Sequence, residues 1–293
     1  MRDRYFRSAT RFFKFSPALL RLKLLPAWVM ASLSANVVLL VILLASLPRQ
    51  SAPQAASMPV VANPSATTSP LLPSPKPIEL GTKHQLTYEQ WLDQLKQEAK
   101  VAAEQKPDRL TVLAGDSISL WFPNELLPEG RTWLNQGISG ETSTGLLKRL
   151  AFFDQTEPET IFVMIGINDL LRGSSDQEVV ENQRQIVKAL DKAHPRSQIV
   201  LQSILPHAAE SVWEGRDRLL AIPNSRIQDL NKQLESIARD EGVYFLDLYP
   251  LFANPDGNLR PDLTTDGLHL NPLGYETWKI ALQVYSREVL EID

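Results

Sequence analysis

The sequence predicts an α/β domain, a parallel sheet with helices on both faces, carried behind one N-terminal transmembrane helix. Three observations predict it. Short apolar runs alternate with longer amphipathic stretches of helical period from about residue 87 to 290, the pattern that repeated strand–helix units leave in a chain. Those runs are continuous rather than alternating, as in Ile161-Phe162-Val163-Met164-Ile165, which is how a strand covered on both faces reads. Finally, an uncharged segment of 24 residues, 24–47, follows a strongly basic start.

Composition sets the outer bounds. With 43% apolar and 22% charged residues in 293, wholesale disorder is excluded. The absence of cysteine excludes a disulfide framework, a thiolate zinc site, a Cys nucleophile and a lipid-modified Cys anchor. The net charge of -4 is unevenly spread: residues 1–77 hold nine Lys/Arg against one acid, which leaves residues 78–293 at -12. A basic start joined to an acidic body argues against a nucleic-acid partner, because phosphate contact needs a basic face on the folded part.

The element order begins with the basic segment 1–23, where Arg2, Arg4, Arg7, Arg11, Lys14, Arg21 and Lys23 are opposed only by Asp3. As a helix, residues 24–47 would span about 36 Å against a hydrocarbon core of roughly 30 Å. Pro26 is tolerable in a first turn, whose N–H has no helical partner. Beyond it Arg49 is the sole charge before Lys76, so the positive-inside rule puts the N-terminus in the cytoplasm and the rest outside. A cleaved signal peptide is the competing reading. Its apolar core would be shorter, about 7–15 residues, and Leu47-Pro48 is a poor junction, although Gln54-Ala55-Ala56 offers another. Residues 48–77 contain eight prolines among Ser, Ala and Thr, and read as a semi-extended tether. The remaining residues, 78–293, form the globular domain.

That domain opens with a capping box, Thr87-Tyr88-Glu89-Gln90, and a helix at about 87–105 with Trp91, Leu92, Leu95 and Ala99 on one face. Strands are expected at 110–114, 133–136, 161–165, 199–204 and 243–246, with helices at about 143–153, 176–193, 224–241 and 272–290. In such folds ligands sit beyond the carboxyl ends of the strands. Four polar blocks fall there or just before the last helix: Gly115-Asp116-Ser117, Asn135-Gln136-Gly137-Ile138-Ser139-Gly140, Gly166-Ile167-Asn168-Asp169, and Asp266-Gly267-Leu268-His269-Leu270-Asn271. Singly, each is an ordinary turn or cap; in this order, each at a strand exit or helix entrance, they form a pattern.

The pattern resembles the SGNH (GDSL) hydrolase superfamily of lipases, acylhydrolases and carbohydrate esterases over residues 108–290, through GDSIS, NQGISGETS, GIND and DGLHLN. The resemblance implies a flavodoxin-like three-layer sandwich, Ser117 as nucleophile, Asp266 and His269 as its partners, and Gly137 and Asn168 in an oxyanion hole with the Ser117 N–H. It implies no metal and no organic cofactor. The residue types suit those roles. A serine hydroxyl needs a base, and His is the side chain whose pKa fits the task. A carboxylate three positions earlier can hold the imidazole's tautomer. His207, after the fourth strand and near Glu210, is the competing base, and the adjacent Asp266 favours His269. Asp116 is expected to hold its turn and Asp169 to cap the loop after the third strand.

The expected partners are an ester substrate, either a lipid or an acylated glycan, and the cytoplasmic membrane through the anchor. The enzyme is expected to be a serine esterase, with O-acyl transfer to an envelope glycan as the alternative and a non-catalytic binding module as a further one. Ile118, Ile138 and Leu170, next to the blocks, and Trp213 are the candidate substrate contacts. Trp213 lies in a long connection, 205–224, which reads either as a lid over the site or as an extra helix on the core. Leu120, Trp121 and Phe122 read either as an acyl pocket or as core.

Overall fold

Continuous apolar runs become buried strands because every residue then has a hydrophobic layer to enter, whichever face it points to. The computed structural model describes residues 86–291, all within the unit Pro75–Asp293. The expected basic segment, anchor and linker lie outside the described residues. Among the described residues no helix is long and apolar enough to cross a membrane.

Five strands, β1 (Leu110–Gly115), β2 (Thr132–Gly137), β3 (Thr160–Met164), β4 (Gln198–Gln202) and β5 (Tyr244–Leu246), pair in the order β2-β1-β3-β4-β5. All pairings are parallel, and Gly115 is in register with both Gly137 and Met164. Three strands therefore end at one level, and the order reverses between β1 and β3, the crevice where flavodoxin-like sheets bind their ligands.

In chain order the helices are α1 (Tyr88–Gln105), α2 (Ser117–Leu120), α3 (Ser143–Arg149), α4 (Ile167–Leu171), α5 (Asp176–Ala193), α6 (Arg216–Leu220), α7 (Asn224–Glu241), α8 (Tyr249–Phe252) and α9 (Pro272–Glu288). Strand alternation divides the interior. Val112, Ala114, Ile161, Val163, Ile199 and Leu201 enter one core with the apolar faces of α5 and α7. Leu113, Phe162, Met164 and Val200 enter the other, where Trp278 of α9 is fully buried. The result is a three-layer α/β/α sandwich. Trp91 and Leu95 of α1 close a third, small cluster with Ile138.

The helices at 176–193 and 224–241 stand where their periodicity placed them. β4 stops two residues earlier than expected. Asn231 of α7 takes both backbone groups of Ile204, accepting from its N–H and donating to its carbonyl at 2.8 Å each, and so draws that residue off the sheet ladder. The expected helix 143–153 is α-helical only to Arg149 and tightens to a 3₁₀ turn over Leu150–Phe153. The short helices α2, α4, α6 and α8, of four or five residues, are too short to show a helical period.

Candidate active site

Asp116 N-caps α2, its Oδ1 accepting the Ile118 N–H at 3.0 Å. Ser117 thereby becomes the first helical residue, and its own N–H has no intrahelical acceptor. Tyr275 of α9 donates its hydroxyl to the Ile118 carbonyl at 3.0 Å and pins the short helix down. Asp116 thus holds the turn, as its residue type suggested.

The last block is folded by Asp266. Its Oδ1 accepts the N–H groups of Leu268 (2.9 Å) and His269 (2.8 Å), curling the chain so that Oδ2 lies 2.7 Å from His269 Nδ1. On the far side of the ring, Nε2 is 3.1 Å from Ser117 Oγ. Residues 152 positions apart in sequence thus form one hydrogen-bonded series, with Ser117 and His269 each 6% exposed. The segment after β4 straps this block in place. Ala208 N–H donates to Gly267 O, and Val212 N–H and Ser211 Oγ both donate to Asp266 O. Gly267 has φ +93°, and a Cβ there would meet Glu210 O at 2.7 Å, so only glycine fits beneath the strap.

Electrostatics follow from this geometry. Burial pushes the Asp266 carboxyl up, but hydrogen bonds from the His269 ring and from the His269 and Leu268 N–H groups outweigh it and hold the group below the usual carboxylate range. An ionised Asp266 keeps the imidazole proton on Nδ1 and turns the Nε2 lone pair toward the serine hydroxyl. Asp116 is the opposite case. Full burial, only partly offset by the Ile118 N–H, pushes it up to about 7.

Asn168, on α4, lies across the β1/β3 crevice, its Nδ2 donating to Asp116 Oδ2 at 3.4 Å. One amide hydrogen remains for another acceptor. Gly137 requires a correction. Its N–H, expected to serve an oxyanion, donates to Asn135 Oδ1 at 2.9 Å. What needs glycine at this position is packing, because a Cβ would lie 2.5 Å from Leu120 N and 2.9 Å from Asp116 O. The second glycine of that block, Gly140, has φ +73° and an N–H without an acceptor among the described residues, while its carbonyl accepts from Arg172. Asp169 does not cap its own loop. It reaches across to α3 and accepts from both the N–H and the hydroxyl of Ser143.

Among the candidate substrate contacts, Ile118 and Leu170 are also corrected. Each is 4% exposed, packs in a core cluster and is absent from the lining of the cavity bordered by Trp121. Ile138 lines a cavity beside the site, and Trp213 stands edge-on to His269 with ring centroids 6.5 Å apart. In the connection at 205–224, Leu219 and Ile222 pack in the core, and Trp213 meets the imidazole edge-on. Leu120 and Trp121 border the cavity, and Phe122 is core. His207 is excluded as a base by its bonds, since its ring nitrogens face the carbonyls of Ala208 (2.8 Å) and Ile222 (2.6 Å). A buried ion pair had no signal in the sequence. Arg149 Nε meets Glu141 Oε2 at 2.8 Å, and its Nη2 donates to Gly115 O, directly before the Asp116 turn. Charges on an amphipathic helix ordinarily read as its solvated face.

Fold and site together define a three-layer α/β/α scaffold with a serine, an imidazole and a carboxylate in series at the topological switch. Residues 114–277 match the model of the GDSL-like lipase/acylhydrolase family. The chain belongs to that family, within the SGNH hydrolases. It is similar to a Vibrio mimicus arylesterase, 32% identical over 104 residues that make up 30% of this chain and 52% of that protein. It is also similar to an N-acylneuraminate cytidylyltransferase of Streptococcus agalactiae serotype V, 27% identical over 155 residues. That match covers 53% of this chain and only 35% of the relative's length. Among solved structures, a Streptococcus pneumonia protein described in connection with platelet activating factor superposes with TM-score 0.58 at 26% identity, over 67% of this chain and 95% of that one. A GDSL-like lipase from Bacteroides thetaiotaomicron, at 22% identity and TM-score 0.54 over 66% and 96%, shares the fold.

Proposed function

We propose that the chain is a membrane-tethered serine esterase, with its hydrolase domain outside the cytoplasmic membrane, acting on small acyl esters, lysophospholipid or acetylated glycan. The observation that carries this reading is the unbroken series Ser117 Oγ–His269–Asp266, with the imidazole anchored on one nitrogen and facing a hydroxyl with the other. Ser117 Oγ attacks the ester carbonyl carbon as its proton passes to His269 Nε2. The tetrahedral oxyanion is held by the Ser117 N–H, the free Asn168 amide hydrogen and the Gly140 N–H, the last replacing Gly137. The intermediate collapses by breaking the bond to the alcohol oxygen, which leaves with the proton from His269. Water then attacks the acyl-enzyme with His269 as base, releasing the acid and restoring Ser117.

The name of the Vibrio relative, an arylesterase, supports ester cleavage. Nucleotidyl transfer is not carried over from proteins of which this chain spans about a third. Tethering is supported by the length of 24–47 and its basic flank. The test is hydrolysis of p-nitrophenyl acetate, butyrate and octanoate by the full chain in detergent, beside Ser117→Ala. Activity that disappears in the variant is expected. Activity retained by the variant would overturn the nucleophile, and turnover only with an added glycan hydroxyl would move the reading to O-acyl transfer.

A further inference from the structure

Trp121, whose ring contacts the His269 imidazole, also lines a cavity of about 320 Å³ whose walls come from three parts of the chain. Tyr88 and Trp91 belong to α1, Trp121 follows α2, and Ile138 with Ser139 leads out of β2. Residues 88–105 lie N-terminal to the segment 114–277 that matches the family. Trp121 is shared between cavity and site. Its ring lies on the His269 imidazole with centroids 4.2 Å apart and planes tilted by 34°.

The wall is also tied to the nucleophile turn. Tyr88 donates its hydroxyl to Glu141 Oε2 at 3.4 Å, Glu141 pairs with buried Arg149, and Arg149 holds the Gly115 carbonyl at 3.2 Å. One hydrogen-bonded frame therefore runs from the outer face of the cavity to the residue before Asp116-Ser117.

We infer that this cavity receives the alcohol half of the ester and that this half is a sugar ring. The inference rests on the serine-esterase reading, in which His269 hands a proton to the departing alkoxide, so that the group beside the imidazole is the alcohol. Trp121 puts the cavity on that side. The walls decide the chemical class. Three of the lining side chains are aromatic, Tyr88, Trp91 and Trp121, beside the aliphatic Leu86, Leu120 and Ile138, and exposed Ser139 and the Tyr88 hydroxyl add polar groups. A pyranose has C–H faces that pack on such rings and hydroxyls around its edge that meet such polar groups. A fatty acyl chain instead calls for a closed aliphatic sleeve, since each of its methylenes gains only by leaving water.

The experiment holds the acyl group constant. The full chain is assayed on methyl 6-O-acetylglucoside and on trifluoroethyl acetate, with Tyr88→Ala and, to guard against a folding defect, Tyr88→Phe. Tyr88→Ala is expected to lower the ratio of kcat/KM for the sugar acetate over the small acetate at least tenfold, mainly through KM, and Tyr88→Phe to lower it a few-fold. An unchanged ratio in both variants overturns the subsite and leaves the esterase intact. So does a defect that grows from p-nitrophenyl acetate to octanoate, because it would assign the cavity to the acyl chain. If the wild type cleaves neither acetate, the esterase reading falls and takes the subsite with it.

Discussion

The two ends of the sheet carry cavities of similar size and opposite chemistry. At the amino ends of the strands, a cavity of about 350 Å³ is lined by Arg109, Glu157, Glu159, His194 and Arg196. There the charges consume one another. Glu159 pairs with Arg131 and Arg109, and Glu157 pairs with Lys106 and Arg196, mostly at the surface where such pairs contribute little. His194 is stacked on Phe153, its Nε2 buried without a partner, and burial pulls its pKa down. At the carboxyl ends, polar groups stand in series instead of cancelling: carboxylate, imidazole, hydroxyl. The difference teaches that concavity and a buried histidine do not make a reactive site. An imidazole becomes a useful base when one nitrogen is anchored and the other faces a proton to be taken, and only His269 among the described histidines has both.

The sharpest way to break that contrast is to disable each end in turn. Ser117→Ala is expected to lower kcat for p-nitrophenyl acetate by roughly 10⁴-fold or more, as removal of a triad nucleophile does. His194→Ala is expected to leave kcat/KM within about twofold, whatever it does to stability. Steady-state kinetics on the two variants side by side would refute the comparison if His194→Ala were the more damaging.

The next effect concerns charge developing at the switch. Asn168→Ala is expected to cost about 2.7–4 kcal/mol of barrier, a loss of 10²–10³ in kcat with little change in KM, because in the proposed mechanism the amide serves an oxyanion that exists only transiently. A loss expressed chiefly in KM would instead make Asn168 a ground-state contact.

Much of this was legible before any coordinates, and the reasons divide by length scale. Long helices such as 176–193 announced themselves by period, and buried strands such as 161–165 by unbroken apolar runs. Ser117, His269 and Asp266 were singled out through the resemblance of their short blocks to the SGNH hydrolases, and the fold brings the three within hydrogen-bonding reach. Gly137 was misread for a geometric reason. Sequence shows that a glycine stands in the block, but not which glycine N–H is already taken, and here Asn135 occupies the first. Ile118 and Leu170 were chosen for adjacency to the site along the chain, which says nothing of how a side chain packs, and both sit in core clusters. The Tyr88–Glu141–Arg149 frame could not be seen at all, since it joins residues 53 and 8 positions apart through contacts that only the fold creates.

Asp116 allows the buried side of the site to be tested through pH. Burial pushes its folded pKa up to about 7, well above the ordinary aspartate range, so the native state binds the proton more tightly than the unfolded one. Its contribution is therefore fully present at low pH and is lost as pH rises from about 4 to 7, at up to about 1.4 kcal/mol per pH unit. Asp116→Asn removes that slope while keeping an acceptor for the Ile118 N–H, at a pH-independent cost from the lost Asn168 bond. Urea unfolding at pH 5 and pH 8 should show the wild type losing more stability than the variant over that interval. Equal losses would mean that the carboxyl titrates in the normal range despite its burial.

The smallest expected effect falls on Trp213, and it tests whether the strap over the last block matters beyond holding it. The indole meets His269 edge-on at 6.5 Å, a contact of a kind worth about 0.5–1.5 kcal/mol. Its neighbours Ser211 and Val212 already fix the Asp266 carbonyl without it, so truncation should leave the block folded and loosen only the ring. Trp213→Ala is expected to reduce kcat by about 2–10-fold with an unaltered fold by circular dichroism, and Trp213→Phe to restore most of it. If Trp213→Ala matched Ser117→Ala in severity, the strap would be holding the imidazole itself in place, and Asp266 alone would not be enough to orient it.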